Sequence, residues 1–219
     1  LNYIPNSKNN FEIGLDVTNY QFKPGIDIHR LTNEEDQLNI DTTYNFNNLE
    51  NMEYAMHITD EISLTNQLKI NAGARFSYYQ SEDKNFVYFD PRLSINYKTK
   101  KNLKFGISYN RTHQFIHLLS TSQISQASDL WLPSNKDIEP QSANQYSINI
   151  EYLPNTKYYF SLSPYYKNMD HLTEYSDGAS YLKSFNGWDE ITGQGKGMAY
   201  GIDFFAEKKT GKTTSWISY

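Results

Sequence analysis

The chain has 219 residues, no cysteine and a formal net charge of −5 at pH 7. Without cysteine, it can form neither a disulfide framework nor a thiolate metal site, and its acidic balance argues against nucleic acid as a partner. The sequence contains no run of roughly 18 apolar residues, so it predicts no transmembrane helix.

Apolar and polar residues alternate along most of the chain, with a period of two. In chain order, the alternation predicts strands near 11–17, 54–64, 68–78, 89–97, 103–115, 145–152, 158–166 and 200–204, and the start of another at 213–219. A period of two indicates a strand with one dry face and one wet face. In the strand 68–78, for example, Ile70 and Phe76 fall on the dry side, and Asn71 and Arg75 fall on the wet side.

The predicted connections alternate between short turns and longer, polar loops. The segments 65–67, 98–102, 153–156 and 209–212 are short, whereas 21–48, 116–141 and 170–196 are long and 80–85 is modest. Outer-membrane barrels have short turns at one rim and long loops at the other, and a soluble sandwich has no reason to sort its loops in this way. The pattern therefore predicts an all-β fold, an antiparallel up-and-down transmembrane β-barrel with about ten strands in this chain.

Two further features bear on the strands. Tyrosine occurs 19 times and aromatic residues make up 16% of the chain, which suits a membrane interface but also an aromatic-rich β-sandwich. Pro91 and Pro164 fall inside predicted strands, and because proline cannot donate to a sheet ladder, we expect both near a rim or a bulge.

Several segments resemble the barrel of TonB-dependent outer membrane receptors of Gram-negative bacteria. They are Phe89-Asp90-Pro91-Arg92-Leu93-Ser94-Ile95-Asn96-Tyr97, Leu103–Arg111, Trp131-Leu132-Pro133, Ile138-Glu139-Pro140-Gln141-Ser142-Ala143-Asn144-Gln145-Tyr146-Ser147-Ile148, Lys196-Gly197-Met198-Ala199-Tyr200-Gly201-Ile202-Asp203 and Thr214–Tyr219. The resemblance covers roughly residues 50–219. The resemblance rests on all of these segments taken together, since no single motif is specific.

The resemblance implies a larger barrel of roughly 22 strands, closed by a plug. Residues 1–219 look like a contiguous part of a single outer-membrane barrel domain, and no plug-like segment or TonB box is recognisable in them. The implied function is the uptake of a scarce nutrient, such as a metal chelate, a cofactor or a glycan. Its partners would be the lipid bilayer, the small-molecule or glycan ligand, and the TonB complex acting through a plug.

We name two sets of candidate residues. Aromatic and acidic residues of the long loops are candidate ligand contacts, because exposed rings stack on sugars and aromatic chelators: Asp129, Trp131, Tyr175 and Trp188. Charged residues on the wet face are candidates to line the lumen or to pair with a plug: Arg75, Arg92 and Glu151.

No catalytic, cofactor or metal site is expected. His113 and His117 are four residues apart but no carboxylate or thiolate completes a ligand set nearby, and Asp170-His171 has no nucleophile at a clear spacing. Two alternatives remain open: a soluble β-sandwich that binds carbohydrate, and a complete small barrel that acts as a surface enzyme.

Overall fold

The computed structural model describes residues 1–22, 26–33, 38–45, 49–119, 130–176 and 191–219. Within these ranges the chain is almost entirely β-strand, and ten strands form one sheet. No helix in the described part is long and apolar enough to cross a membrane.

The strands of the sheet pair antiparallel with their neighbours. In spatial order they are β1 (Asn2–Asn6), β2 (Asn9–Phe22), β5 (Leu49–Ser63), β6 (Leu68–Gln80), β7 (Asn85–Lys98), β8 (Leu103–Gln114), β11 (Gln141–Asn155), β12 (Tyr158–Tyr175), β13 (Thr192–Lys208) and β14 (Ser215–Ser218). The other strands form two hairpins within connections, β3 (Ile26–Asn33) with β4 (Leu38–Asn45), and β9 (Ile116–Leu119) with β10 (Leu130–Pro133).

The connections differ at the two ends of the sheet. At one end they are residues 7–8, 64–67, 99–102, 156–157 and 209–214, and at the other they are 23–48, 81–84, 115–140 and 176–191. We call these the short-turn end and the long-loop end. The predicted alternation is confirmed, and so is the modest connection near 80–85, which joins β6 to β7 with four residues at the long-loop end.

One face of the sheet, the outer face, is apolar. A row of isoleucines crosses five neighbouring strands, because the register pairs Ile62 with Ile70, Ile70 with Ile95, Ile95 with Ile107, and Ile107 with Ile148. Ile107 is 53% exposed and Ile148 is 47% exposed. The predicted dry faces therefore share one side of the sheet, and that side is not packed into a protein interior.

The opposite, inner face is polar. One residue along from the isoleucines, a second row runs from Asn71 to Ser94, Ser108 and Ser147. The hydroxyl groups of Ser108 and Ser147 are hydrogen-bonded at 2.6 Å. Since successive side chains of a strand point to opposite faces, the wet positions of the sequence are the inner face.

The sheet is a single layer. The solvent-accessible surface is 15089 Å², whereas a compact protein of this mass exposes roughly 10,000 Å². A β-sandwich would bury the apolar face against a second sheet, so the sandwich interpretation is wrong. The buried hydrophobic clusters of the described residues lie at the long-loop end.

Three local expectations are corrected. Strand β1 was not predicted. Pro91 pairs with Ala74 in the middle of β7, and the ladder to β8 ends beside it at Arg92. Pro164 pairs with Ile202 in the middle of β12, with no register shift there. Neither proline therefore lies at a rim. Proline has no backbone N–H to donate, and a strand tolerates this loss where its pairing on that side is interrupted.

Candidate functional site

A chain of charged side chains follows the inner face of β2, β5 and β6. The Arg75 guanidinium contacts Asp16 Oδ2 at 2.9 Å and Glu53 Oε1 at 3.1 Å. His57 lies 3.7 Å from Asp16 and 3.8 Å from Glu12. Three carboxylates therefore surround one guanidinium and one imidazole, which leaves this part of the wall acidic.

Neighbouring residues fix this arrangement. The Tyr20 hydroxyl donates to Glu53 Oε2 at 2.9 Å, so both oxygens of that carboxylate are hydrogen-bonded. Gly14 is paired with His57, and a Cβ at position 14 would overlap the imidazole ring. The glycine thus allows the histidine ring to lie flat against the wall between two strands.

An aromatic cluster closes the long-loop end of the same strands. Tyr79, Phe86 and Phe115 are buried, and the rings of Tyr79 and Phe115 stack in parallel with centroids 4.5 Å apart. Tyr20 and Tyr88 pack against them. Stacked rings are rigid, so the cluster holds the end of β8 against β6 and β7.

A polar contact continues the junction between β7 and β8 where their ladder ends. The Asp90 carboxylate accepts a hydrogen bond from the His113 backbone N–H at 3.2 Å and lies 2.5 Å from His113 Nδ1. The His113 ring also stacks on Tyr88, with centroids 3.7 Å apart. The Asp90 side chain thus accepts a hydrogen bond from the β8 backbone where the next backbone pair of the ladder would be. Pro91, which has no N–H to donate, lies beside it.

The hairpin of β9 and β10 has a buried face and an open face. Leu119, Leu132 and Ile138 form a buried cluster, and Tyr175 packs against it. Trp131, one residue before Leu132, is 51% exposed. The hairpin therefore packs down on the end of β12 and presents the indole on its other side.

His117 lies inside this packed region and is fully buried. Its Nε2 is hydrogen-bonded to Ser134 Oγ at 2.8 Å, and its Nδ1 lies 3.5 Å from Thr173 Oγ1. Burial lowers the pKa of His117 from 6.5 to about 4, because removing water disfavours the charged imidazolium.

Gln194 ties the segment after the hairpin to β13. Its Nε2 donates to the Glu139 carbonyl at 2.7 Å, and its Oε1 accepts from the Glu139 N–H at 3.1 Å. The same Nε2 is 3.1 Å from Thr173 Oγ1. The Gln194 amide thus makes the two hydrogen bonds to the Glu139 backbone that a residue of a neighbouring strand would make. Lys84 and His171 approach the Glu139 carboxylate at 3.1 and 3.5 Å.

These elements border an open cavity of about 470 Å³ on the inner side. Its lining combines charged, polar and aromatic residues: Tyr20, Glu53, Arg75, His113, Gln114, Phe115, Ile116 and Trp131. A concave surface that combines a few polar groups with aromatic rings offers contacts to a small ligand.

The structure separates the residues predicted to contact ligand. Trp131 lines the cavity, whereas Tyr175 packs against the hairpin core. Asp129 and Trp188 lie outside the described residues. Tyr20, Glu53 and His113 were not predicted as ligand contacts. The alternation places Glu53 on the wet face, but it does not indicate that a loop hairpin lies near it.

The three lumen candidates all lie on the inner face. Arg75 belongs to the charged chain and lines the cavity. Glu151 accepts from Lys104 Nζ at 2.8 Å. Arg92 is exposed and has no ion pair within the described ranges.

The two histidines considered for a metal are held apart by different partners, His113 by Asp90 and His117 by Ser134. Among the residues that the structure describes, no group of three or more His, Cys, Asp or Glu could hold a metal ion.

A one-layer antiparallel wall with an apolar outer face, a polar inner face and loops sorted by end is the architecture of a transmembrane barrel wall. The sequence profile described as TonB dependent receptor-like, beta-barrel matches residues 2–217. The chain therefore belongs to the TonB-dependent receptor barrel family, whose members are receptors and not enzymes. The surface-enzyme alternative is wrong.

Solved structures have the same fold. The FrpB iron transporter from Neisseria meningitidis (F3-3 variant) matches with a TM-score of 0.69 and 10% identity, over 99% of this chain and 33% of that one. The siderophore receptor PirA from Acinetobacter baumannii matches with a TM-score of 0.65 and 12% identity, over 100% and 35%.

The ferric-catecholate import receptor Fiu from K12 E. coli matches with a TM-score of 0.57 and 13% identity, over 96% of this chain and 35% of that one. At such identities the likeness concerns the fold alone. The chain spans about a third of the length of these structures. No curated protein matches the sequence.

Proposed function

We propose that residues 1–219 are part of a single barrel domain in the outer membrane of a Gram-negative bacterium. The whole receptor takes up a scarce nutrient, with energy supplied through TonB. Membership of the receptor family supports the role, and the apolar outer face supports the location. The cavity at the long-loop end carries the proposal, because it lies on the inner face where a ligand would enter.

The charges at the cavity favour one class of ligand. Arg75 is already neutralised by Asp16 and Glu53, so the lining offers no free guanidinium to an anion. An anionic ligand would meet net negative charge here, and like charges repel strongly where water is partly excluded. A neutral or cationic ligand is therefore favoured.

We propose a metal chelate of neutral or positive charge as the ligand, with Trp131 and Tyr20 as its ring contacts. The related folds include an iron transporter and a siderophore receptor, which supports a chelate before a glycan or a cofactor. Glu53 would accept hydrogen bonds from the periphery of the chelate.

The inner face also offers a contact for a plug. Arg75 and Glu151 already pair within the wall, whereas the Arg92 guanidinium is exposed and has no ion pair among the described residues. A carboxylate of the plug opposite Arg92 would form an ion pair with its guanidinium.

Titration calorimetry on the full-length receptor in detergent tests the ligand class. The probes are a neutral ferric trihydroxamate, a triply negative ferric tris-catecholate and a neutral oligosaccharide. We expect the neutral ferric chelate to bind at least about tenfold more tightly than the catecholate, a difference of about 1.4 kcal/mol. Tighter binding of the catecholate or of the oligosaccharide would contradict the chelate class.

A pair of variants locates the site. Trp131→Ala should weaken binding about tenfold, since a ring in contact with the ligand contributes on the order of 1–2 kcal/mol. Leu118→Ala is the matched control, because Leu118 is paired with Trp131 in the hairpin but does not line the cavity. Equal affinities of the two variants would place the ligand elsewhere.

A further inference from the structure

The short-turn end of the wall carries a row of exposed lysines on three turns that lie side by side. The Leu153 N–H donates to the Asn102 carbonyl at 3.0 Å, which joins the β7–β8 turn to the β11–β12 turn. The Lys209 N–H donates to the Lys157 carbonyl at 2.7 Å, which joins the β11–β12 turn to the β13–β14 turn. Four lysines on these turns are exposed and have no ion pair among the described residues: Lys100, Lys101, Lys157 and Lys212. We call these four residues the lysine rim.

The wall supplies no counterions to the lysine rim. The nearest carboxylates already have partners, since Glu151 contacts Lys104 at 2.8 Å and Glu207 contacts Lys209 at 3.9 Å. The positive charge is local, because the chain as a whole has a net charge of −5. At the long-loop end, the β6–β7 turn instead exposes two acidic residues that have no ion pair in the described part of the chain, Glu82 and Asp83.

Aromatic side chains of the outer face indicate where the lysine rim lies relative to the membrane. Within four residues of the β7–β8 and β11–β12 turns, the outer face carries five partly exposed rings: Tyr97, Phe105, Tyr152, Tyr158 and Phe160. Such rings mark the level where lipid headgroups meet the hydrocarbon. The lysine rim follows them on the side away from the isoleucine row, so its ammonium groups lie at the level of the headgroups.

The lysines are spread along the perimeter of the wall. Two strand spacings, about 10 Å, separate the β7–β8 turn from the β11–β12 turn, and two more separate that turn from the β13–β14 turn. Charges that converge on one point suit a single small anion, whereas charges in a row suit a row of headgroups. The short turns of this architecture face the periplasm, so the adjoining leaflet is the periplasmic one.

We propose that the lysine rim binds the headgroups of anionic phospholipids in the periplasmic leaflet of the outer membrane. A lysine lays its apolar stem along the rings and keeps its ammonium group in the polar layer. Each such cation attracts lipids of net negative charge, and a zwitterionic headgroup offers no net charge. The inference rests on the membrane location proposed above, and it is independent of the ligand cavity at the other end.

Acetylation of the full-length receptor in nanodiscs tests the proposal. The bilayer is either phosphatidylcholine alone or an equal mixture with phosphatidylglycerol, and mass spectrometry follows the reaction of each lysine with a water-soluble acetylating reagent. We expect the four lysines of the rim to react at least about threefold more slowly in the mixture, because lipid phosphates pair with their ammonium groups.

Two other lysines are controls for the general effect of a negative surface. Lys8 is exposed in the β1–β2 turn at the same end, away from the lysine rim. Lys136 has a side chain 62% exposed at the long-loop end. Phosphatidylglycerol should slow both of them by less than about twofold, since a single cation gains less than a row of cations.

Paired variants separate the charge from the side chain. Lys101→Gln combined with Lys157→Gln should reduce the protection of Lys100 by phosphatidylglycerol, whereas arginine at the same two positions should preserve it. Both combinations should fold, because these turns are held by backbone groups. The N–H of residue 101 donates to Thr99 Oγ1 at 3.2 Å, and that of residue 157 donates to Asn155 Oδ1 at 2.9 Å.

Three results would overturn the proposal. The first is equal acetylation of the lysine rim in the two bilayers. The second is full protection already in phosphatidylcholine alone, which makes the partner something other than an anionic lipid. The third is unchanged protection of Lys100 in the glutamine variant. Each is measured on a receptor already inserted in a bilayer, so each leaves the membrane location and the ligand cavity unaffected.

Discussion

The two ends of the wall use their side chains in opposite ways. At the long-loop end, Tyr79 and His117 are fully buried, and the charged groups near them are paired. At the short-turn end, Lys98, Lys100 and Lys101 are exposed without counterions in the described chain. The first end keeps its own shape through internal packing, whereas the second exposes positive charge that no described carboxylate neutralises. The predictions that follow test the first half of this contrast, the internal packing of the long-loop end, from the largest expected effect to the smallest.

The largest effect is expected at Tyr79. Tyr79→Ala removes a buried ring stacked on Phe115 and should lower the free energy of unfolding by about 3–5 kcal/mol. Tyr79→Phe is the matched control, because the Tyr79 hydroxyl is buried with no hydrogen-bond partner among the described residues. It should be neutral or slightly stabilising. Urea unfolding in lipid vesicles measures both, and equal losses for the two variants would show that the ring is not a packing element.

The second effect depends on pH through His117. Its pKa is lowered on folding, so the unfolded hairpin binds more protons below pH 6.5 and the stability of this region is complete above that value. It should fall by about 1.4 kcal/mol per pH unit below 6.5 and by about 3 kcal/mol at pH 4. Other titrating groups at this junction are His171 and Glu139, 3.5 Å apart.

Amide hydrogen exchange of 116–119 and 130–133 at pH 7 and pH 5, corrected for the intrinsic rates, measures this change. In His117→Gln the pH dependence should be lost. If it persists in that variant, the sensitivity comes from His171 or Glu139 and the assignment to His117 is wrong.

The smallest effect is expected at Gln194. Gln194→Ala removes both hydrogen bonds to the Glu139 backbone and should lower the local stability of this segment by about 1–2 kcal/mol. The loss is this small because the freed Glu139 N–H can bond to water instead. The loss should appear as faster exchange of 134–140 while the barrel strands remain protected. Gln194→Glu keeps the acceptor and should lie between the wild type and Gln194→Ala. Unchanged exchange in both variants would show that the hairpin core alone holds the segment.

The wall could be predicted from the sequence because each strand carries its own pattern. Ile70 and Asn71 are assigned to opposite faces by position alone, and the turn lengths give the two ends. The omission of β1 has a local cause, since Asn2–Asn6 contains a proline and two asparagines and shows little alternation. Asp60 is a second exception, a carboxylate on the apolar face that accepts from Asn9 Nδ2 at 2.8 Å.

The candidate site could be predicted only in part. Trp131 stands out as an aromatic in a polar loop, and Arg75 as a charge on the wet face. Trp131 and Arg75 line the same cavity only because the β9–β10 hairpin packs against Thr173 and because the Gln194 amide bonds to the Glu139 backbone. Gln194 follows Glu139 by 55 residues. Contacts between residues so far apart in the sequence do not alter the two-residue alternation of apolar and polar residues. The alternation therefore did not predict the buried cluster under the β9–β10 hairpin.

The central claim is that the outer face of the wall meets lipid and the inner face meets water. Residues 1–219 contain no cysteine. In the full-length receptor in vesicles, with any cysteine outside these residues replaced by serine, a nitroxide label can be placed on a single introduced cysteine at Ile148 or at its neighbour Asn149. The label at 148 should relax with dissolved oxygen and be shielded from a water-soluble nickel chelate, and the label at 149 should behave in the opposite way. If both labels respond to the nickel chelate, or both respond to oxygen alone, the wall does not separate lipid from a wet lumen.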